Sequence, residues 1–111
     1  MDVATDVTED GIVIVRSQGR LNMAAAPQLR GVVSDLTAAG RVRIVIDLSA
    51  VTFIDSSGLG ALIGGLKSAR QAAGDLRIAA PTEQVTTVLG LTNLDRVLKP
   101  YASVEEALDG W

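Results

Sequence analysis

The sequence contains no cysteine and no histidine, and these two absences exclude several classes of protein at once. Disulfides, thiol nucleophiles, zinc sites built from Cys and His, and Ser-His-Asp triads all need a residue type that the chain lacks. A serine nucleophile would lack its usual base, and no glycine-rich stretch is followed by the Lys-Ser/Thr pair of a phosphate-binding loop. We therefore expect a protein without a metal or a cofactor that is not an enzyme.

Aromatic residues and positive charge are also scarce. Phe53, Tyr101 and Trp111 are the only aromatic residues, so the core has to be built from Val, Leu, Ile and Ala. The net charge of −3 and the few aromatic rings argue against direct nucleic-acid binding, which needs basic patches and stacking platforms. The acidic start of the chain lacks the apolar run of a signal peptide, and no stretch is long enough to span a bilayer. We expect a cytoplasmic protein that contacts no membrane.

The length and the order of predicted elements indicate one α/β domain over residues 1–111. Strands are predicted at 3–7, 12–15, 42–48, 75–80 and 97–98. A first helix has Pro27 in its first turn and ends near Gly40, and two more helices are predicted at 57–72 and 82–89. Ser103 and Glu106 have the spacing of a capping box and open a final short helix. The expected architecture is an N-terminal β-hairpin, then alternating helices and a largely parallel sheet of four to five strands, with the helices packed on it. Residues 18–22 and 49–55 are predicted to be loops.

The most specific stretch of the sequence is the place where the strongest strand leads into a helix through Asp55, Ser56 and Ser57. Asp55 or Ser56 can cap this helix by accepting hydrogen bonds from the free N–H groups of its first turn. Glycine then recurs inside the helix, where each one costs roughly 0.8–1 kcal/mol relative to alanine. The glycines stand at Gly58, Gly60, Gly64 and Gly65.

Two explanations for these glycines are open. Close packing of the helix against the sheet or another helix suits Gly64 and Gly65. A first turn left uncovered, so that another protein can lie on it, suits Gly58 and Gly60. A phosphate on either adjacent serine would be tolerated there, because the free N–H groups and the helix dipole favour anions. The added charge of about −1.5 to −2 would still be repelled by an acidic or apolar partner surface.

The run Asp55-Ser56-Ser57-Gly58-Leu59-Gly60, preceded by Asp47-Leu48 and Phe53-Ile54, resembles the signature of the anti-sigma factor antagonists of the STAS family. The resemblance covers nearly the whole chain and implies a STAS fold. It also implies that the unphosphorylated protein binds an anti-sigma factor that is a serine kinase, and thereby frees the sigma factor. The kinase then uses ATP to phosphorylate Ser56, with Ser57 as the second choice, and the complex separates. A serine phosphatase restores the serine.

The same resemblance implies a set of partner-binding residues, namely Asn22, Asp55, Ser56, Ser57, Gly58, Leu59 and Gly60. The family commonly has an aspartate where this chain has Asn22, and often a threonine where it has Ala25. Asn22 keeps the hydrogen-bonding reach of aspartate but lacks its charge. The resemblance therefore implies altered affinity or partner choice and less efficient phosphorylation. Asn22 is also interpreted as a plain loop residue or helix cap.

A second hypothesis keeps the fold but changes the role. In it, the chain is a STAS-domain subunit of a larger signalling or ligand-sensing assembly that phosphorylation does not regulate, and Ser56 is only a helix cap. An enzyme using a Ser-Lys pair is disfavoured, because Lys67 lies about three turns along the helix from Ser56. Lys67, Arg70 and Arg77 are interpreted as a solvated face, and Phe53 as a core residue. The sequence leaves the oligomeric state open.

Overall fold

The computed structural model describes residues 1–111. One five-stranded sheet has the strand order β1-β2-β3-β4-β5. Its strands are β1 (Asp2–Val7), β2 (Val13–Leu21), β3 (Arg43–Ile54), β4 (Asp75–Ala79) and β5 (Pro100–Tyr101). The helices are α1 (Ala26–Ala38), α2 (Ser56–Gln71), α3 (Glu83–Leu91) and α4 (Val104–Leu108), with a 3₁₀ turn at Leu94–Arg96. None of the helices is both long and apolar enough to cross a lipid bilayer.

The sheet combines one hairpin with parallel crossovers. β1 and β2 are antiparallel, whereas β2–β3, β3–β4 and β4–β5 are parallel pairs. Gly11 closes the hairpin turn with φ of +81°, a conformation that glycine adopts without a steric penalty. Helices α1, α2 and α3 make the three crossovers, as parallel neighbours require. The predicted hairpin and largely parallel α/β sheet are confirmed.

Two hydrophobic clusters lie on opposite faces of this sheet. Ile44 and Ile46 of β3 belong to the larger cluster, together with residues of α1, α2 and α3. Val45, between them in sequence, belongs to the smaller cluster with Ala107 of α4. Successive side chains of a strand point to opposite faces, so β3 is covered on both sides. This explains why its sequence is a continuous apolar run rather than an alternating one.

Arg77 holds α4 against the sheet. Its guanidinium donates hydrogen bonds to the backbone carbonyls of Ala107 (2.9 Å) and Asp109 (3.1 Å), and it lies 4.2 Å from the ring centre of Trp111. The interpretation of Arg77 as part of a solvated face is therefore wrong, because a planar cation with several donors can stack and donate at once. Lys67 and Arg70 are exposed, as predicted.

Both strands that lead towards the motif are longer than predicted. Residues 18–21 belong to β2 and residues 49–54 belong to β3, so the prediction of loops in both places is wrong. The register between the two strands shifts twice, between Arg16 and Gln18 and between Gly19 and Arg20. Such bulges break the alternation of side chains by which a strand is recognised in a sequence. Gly19, with φ of +108°, takes a backbone conformation in this region that favours glycine.

The predicted strand at 97–98 is also wrong. Leu98 is buried in the larger cluster just after the 3₁₀ turn, and the last strand is Pro100–Tyr101. This strand pairs only with β4 at the edge of the sheet, which is where a strand tolerates proline. The capping box that follows is confirmed in its main bond, since the Ser103 hydroxyl accepts the N–H of Glu106 at 3.1 Å.

Candidate functional site

The candidate site lies at the sheet edge where β2 and β3 end. The two strands are parallel, and their last residues, Leu21 and Ile54, are paired. The loop 22–25, which leads to α1, and the first turn of α2 therefore leave the sheet side by side. The fold in this way brings Asn22 next to the motif that begins at Asp55, although the two are far apart in sequence.

Asp55 joins these two segments. It stands in an extended conformation immediately before α2 and is the N-cap of that helix. One carboxylate oxygen accepts the N–H of Gly58 at 2.9 Å, and the other accepts the N–H of Met23 at 3.2 Å. Asp55 rather than Ser56 is thus the capping residue, and its second oxygen fixes the loop 22–25 against the start of α2.

Replacing Asp55 with alanine is expected to lower the free energy of unfolding by about 1–2 kcal/mol, because α2 loses its side-chain cap. Asparagine keeps one side-chain oxygen and can satisfy one of the two N–H groups, so Asp55→Asn should lose about half as much. Urea denaturation of both variants measures the difference. Equal stability of Asp55→Ala and the parent protein would show that this double hydrogen bond contributes nothing.

The two serines of the motif differ in exposure. Ser56, the first residue of α2, is exposed, whereas Ser57 is half-buried. The N–H of Gly58 is bonded to the Asp55 carboxylate and the N–H of Leu59 to the Asp55 carbonyl. The N–H groups of Ser56 and Ser57 have no acceptor within the chain, as is usual at the start of a helix. The first turn therefore offers an accessible hydroxyl beside two free donors.

Gly58 and Leu59 lie inside the fold. A Cβ atom at Gly58 would collide with the carbonyl oxygen of Leu21 and come within 2.7 Å of the Ile54 side chain. Leu59 is only 5% exposed. The interpretation that Gly58 leaves a surface bare for a partner is wrong, because glycine is needed here to let α2 start directly against β2. Both residues can influence a partner only by shaping the first turn.

The surroundings of the other three glycines of α2 also differ in part from those predicted. A Cβ at Gly65 would lie 3.1 Å from the Leu76 side chain, which is the predicted close packing against the sheet. Nothing lies within 4 Å of the same position at Gly64, so close packing is wrong there. At Gly60 the nearest atom is a guanidinium nitrogen of Arg30 in α1, at 3.2 Å. The bare surface of α2 is therefore found at Gly60 and Gly64.

Asn22 organises the turn before α1. Its side-chain oxygen accepts the N–H groups of Ala24 and Ala25, both at 3.1 Å, in the manner of an Asx turn. This supports its interpretation as a loop or capping residue. An aspartate could accept the same two bonds, so asparagine preserves the geometry and removes one negative charge from the site. Ala25 is buried, and its side chain faces the core rather than the surface.

Three further residues shape the site and were not singled out from the sequence. Met23 is 74% exposed beside the Asp55 carboxylate. The Arg20 guanidinium lies 4.5 Å from the ring centre of Phe53, which is half-buried, so the prediction of Phe53 as a core residue is wrong. The side-chain amide of Gln84 in α3 accepts a hydrogen bond from the N–H of Ile54 and donates one to its carbonyl. Correct pairing of β2 with β3 would have suggested the Arg20–Phe53 contact, whereas no local signal points to Gln84.

Comparison with known sequences agrees with the geometry. The model of the STAS domain family matches residues 4–107. A candidate anti-sigma factor antagonist of Thermotoga maritima is 37% identical over 101 residues, which are 90% of this chain and 89% of that protein. The anti-sigma-B factor antagonist of Staphylococcus aureus is 29% identical over 87 residues, 78% of this chain and 81% of that protein.

Solved structures give the same result. The crystal structure of a candidate anti-sigma factor antagonist from Thermotoga maritima has a TM-score of 0.89 at 33% identity, over 96% of this chain and 92% of that one. The Bacillus cell-fate determinant SpoIIAA in its phosphorylated form has a TM-score of 0.74 at 25% identity, over 97% of each chain. Because the family match spans almost all of the sequence and the fold agrees with it, the chain belongs to the STAS domain family.

Proposed function

We propose that the protein is an anti-sigma factor antagonist whose partner is an anti-sigma factor with serine-kinase activity. The relatives named as anti-sigma factor antagonists support the class of function. The observation that carries the finer proposal is the position of Ser56, which is exposed at the first residue of α2 and directly follows its capping residue Asp55. SpoIIAA, a structural relative known in a phosphorylated form, supports a modification in this fold.

The binding surface has the first turn of α2 at its centre. Asp55 and the loop 22–25 flank Ser56 on one side, and Met23 supplies an exposed apolar side chain. A kinase that docks here places its active site over the Ser56 hydroxyl. While it is held on this surface it cannot hold the sigma factor, which is thereby released.

Phosphoryl transfer causes the complex to dissociate. The γ-phosphoryl group of ATP is bonded to the Ser56 Oγ, ADP leaves, and the hydroxyl proton passes to a base. That base belongs to the kinase, because this chain has no histidine and the Asp55 carboxylate is already bonded to two N–H groups. A serine phosphatase hydrolyses the phosphoserine and returns the protein to its binding state.

The phosphate acts on the complex rather than on the fold. At the start of α2 it lies near free N–H groups and the positive end of the helix dipole, which favour an anion. At the interface the same charge of about −1.5 to −2 has to be desolvated next to Asp55. Like charges brought together in an interface cost several kcal/mol, so the complex separates while the protein stays folded.

Phosphorylation is tested with the kinase recovered from the host by its binding to this protein. We expect ATP to add one phosphate to the parent protein and to Ser57→Ala, and none to Ser56→Ala, as measured by mass spectrometry of the intact chain and its peptides. Transfer of phosphate to Ser57 in the Ser56→Ala variant would mean that Ser57, the next residue, is the regulatory phosphorylation site. Binding of a kinase without any transfer would instead favour the hypothesis of a STAS subunit that phosphorylation does not regulate.

A further inference from the structure

Arg30 of α1 lies across the bare part of α2. One of its guanidinium nitrogens is 3.2 Å from the position that a Cβ of Gly60 would occupy. Arg30 is exposed, and none of the three ion pairs of the protein includes it; these are Arg16–Asp6, Arg16–Asp47 and Arg70–Asp75. An unpaired arginine is thus placed over α2 where glycine leaves room for it.

Its position relative to Ser56 follows from helix geometry. Gly60 and Ser56 are four residues apart, so they lie on the same face of α2 about 6 Å apart along the axis. α1 and α2 both leave the same edge of the sheet and run side by side. Side chains of a helix lean towards its N-terminus, and for Arg30 this is the direction of Ser56. The Arg30 guanidinium, beside Gly60, therefore lies about one helical turn from a group attached at Ser56.

We propose that Arg30 is the residue that binds the phosphate of phosphorylated Ser56. The proposal rests on the modification of Ser56 proposed above. The planar guanidinium matches the oxygens of a phosphate with two parallel charge-assisted hydrogen bonds. The phosphate is then held along the Gly60 face of α2.

The surrounding residues favour Arg30 over the other basic side chains. The Arg20 guanidinium lies over the ring of Phe53 in β3 rather than over α2, and Lys67 stands about three turns along α2 from Ser56. Phosphate binding by Arg30 also explains why residue 60 is a glycine. No backbone atom lies close enough to require glycine there, and the nearest atom is at the end of the Arg30 side chain. A larger residue at this position would displace the guanidinium from the surface of α2.

The test needs no kinase, because phosphoserine is inserted at position 56 during translation. Phosphorus NMR then follows the second ionisation of the phosphate, whose pKa is ordinarily about 6. A bound guanidinium favours the dianion, so the pKa is expected to lie lower in the parent protein than in Arg30→Gln by about half a unit or more. Arg30→Lys should keep part of this effect. Arg41→Gln removes the same charge near Gly11, at the far end of the sheet, and should leave the pKa unchanged.

A second variant tests the geometry without altering the charge. Gly60→Leu displaces Arg30 from α2 and should raise the phosphate pKa as Arg30→Gln does. The same phosphate pKa in the parent protein and in Arg30→Gln would overturn the proposal. If Arg30→Gln leaves the pKa unchanged and weakens binding of the unphosphorylated protein to the kinase, Arg30 is a partner contact instead. Failure of the proposed phosphorylation by a kinase would be seen in the phosphate-transfer and binding experiments. The NMR titration uses no kinase and is independent of those experiments.

Discussion

Ser56→Asp is expected to weaken binding to the proposed anti-sigma kinase by about a hundred-fold or more while leaving the protein folded. A carboxylate at the first residue of α2 is favourable for the helix itself, by about 0.3–1 kcal/mol, because it lies at the positive end of the dipole. In the complex it has to be desolvated beside Asp55, and juxtaposed like charges cost several kcal/mol. A cost of about 3 kcal/mol corresponds to a loss of affinity of roughly a hundred-fold.

Ser56→Asn is the matched control for this prediction, because asparagine has the shape of aspartate without its charge. Calorimetric titration with the purified kinase should show that Ser56→Asn and Ser56→Ala bind within about ten-fold of the parent, a difference of about 1.4 kcal/mol. Thermal denaturation of the three variants tests whether each is folded. If Ser56→Asn weakens the complex as much as Ser56→Asp does, the size of the side chain and not its charge controls binding.

Gly58→Ala is expected to lower the free energy of unfolding by about 3 kcal/mol, since one added methyl overpacks a site that has no room for it. The new Cβ meets the Leu21 carbonyl oxygen and the Ile54 side chain, which are parts of the sheet rather than flexible ends. Gly64→Ala adds the same methyl to the same helix in open space. There it should raise the free energy of unfolding by about 0.8–1 kcal/mol, the ordinary gain from replacing glycine by alanine in a helix.

Urea denaturation of the two variants compares these effects directly, because the chemical change is identical. The midpoint of Gly58→Ala should fall well below that of the parent, and the midpoint of Gly64→Ala should rise slightly above it. A Gly58→Ala variant as stable as the parent would mean that α2 can move away from β2 at no cost. In that case Gly58 would no longer define where the first turn of α2 lies.

The features that were predictable from the sequence are those encoded by neighbouring residues. The order of strands and helices follows from apolar periodicity, and the start of α2 follows from the capping preference of Asp55. The motif also indicated the family. Each of these signals depends on a short stretch of sequence and on rules that hold in most protein contexts.

The features that were missed depend on contacts between distant segments. The bulges of β2 shift its register against β3, and neither strand alone shows that residues 18–21 and 49–54 pair. The four glycines of α2 look alike in sequence, yet Gly58 faces a backbone carbonyl, Gly65 a leucine and Gly64 open space. Only the position of β2, β4 and α1 around the helix separates these cases.

The stacking of Trp111 on Arg77 gives the protein a built-in optical probe. Trp111 is the only tryptophan, and it lies with α4 on the face of the sheet opposite α1, α2 and α3. The fluorescence emission of Trp111 therefore reports whether α4 is packed against the sheet, without any attached dye. A docked kinase that contributes no tryptophan would leave that emission unchanged, whereas unfolding would shift it, so loss of binding and loss of structure are distinguishable in one cuvette.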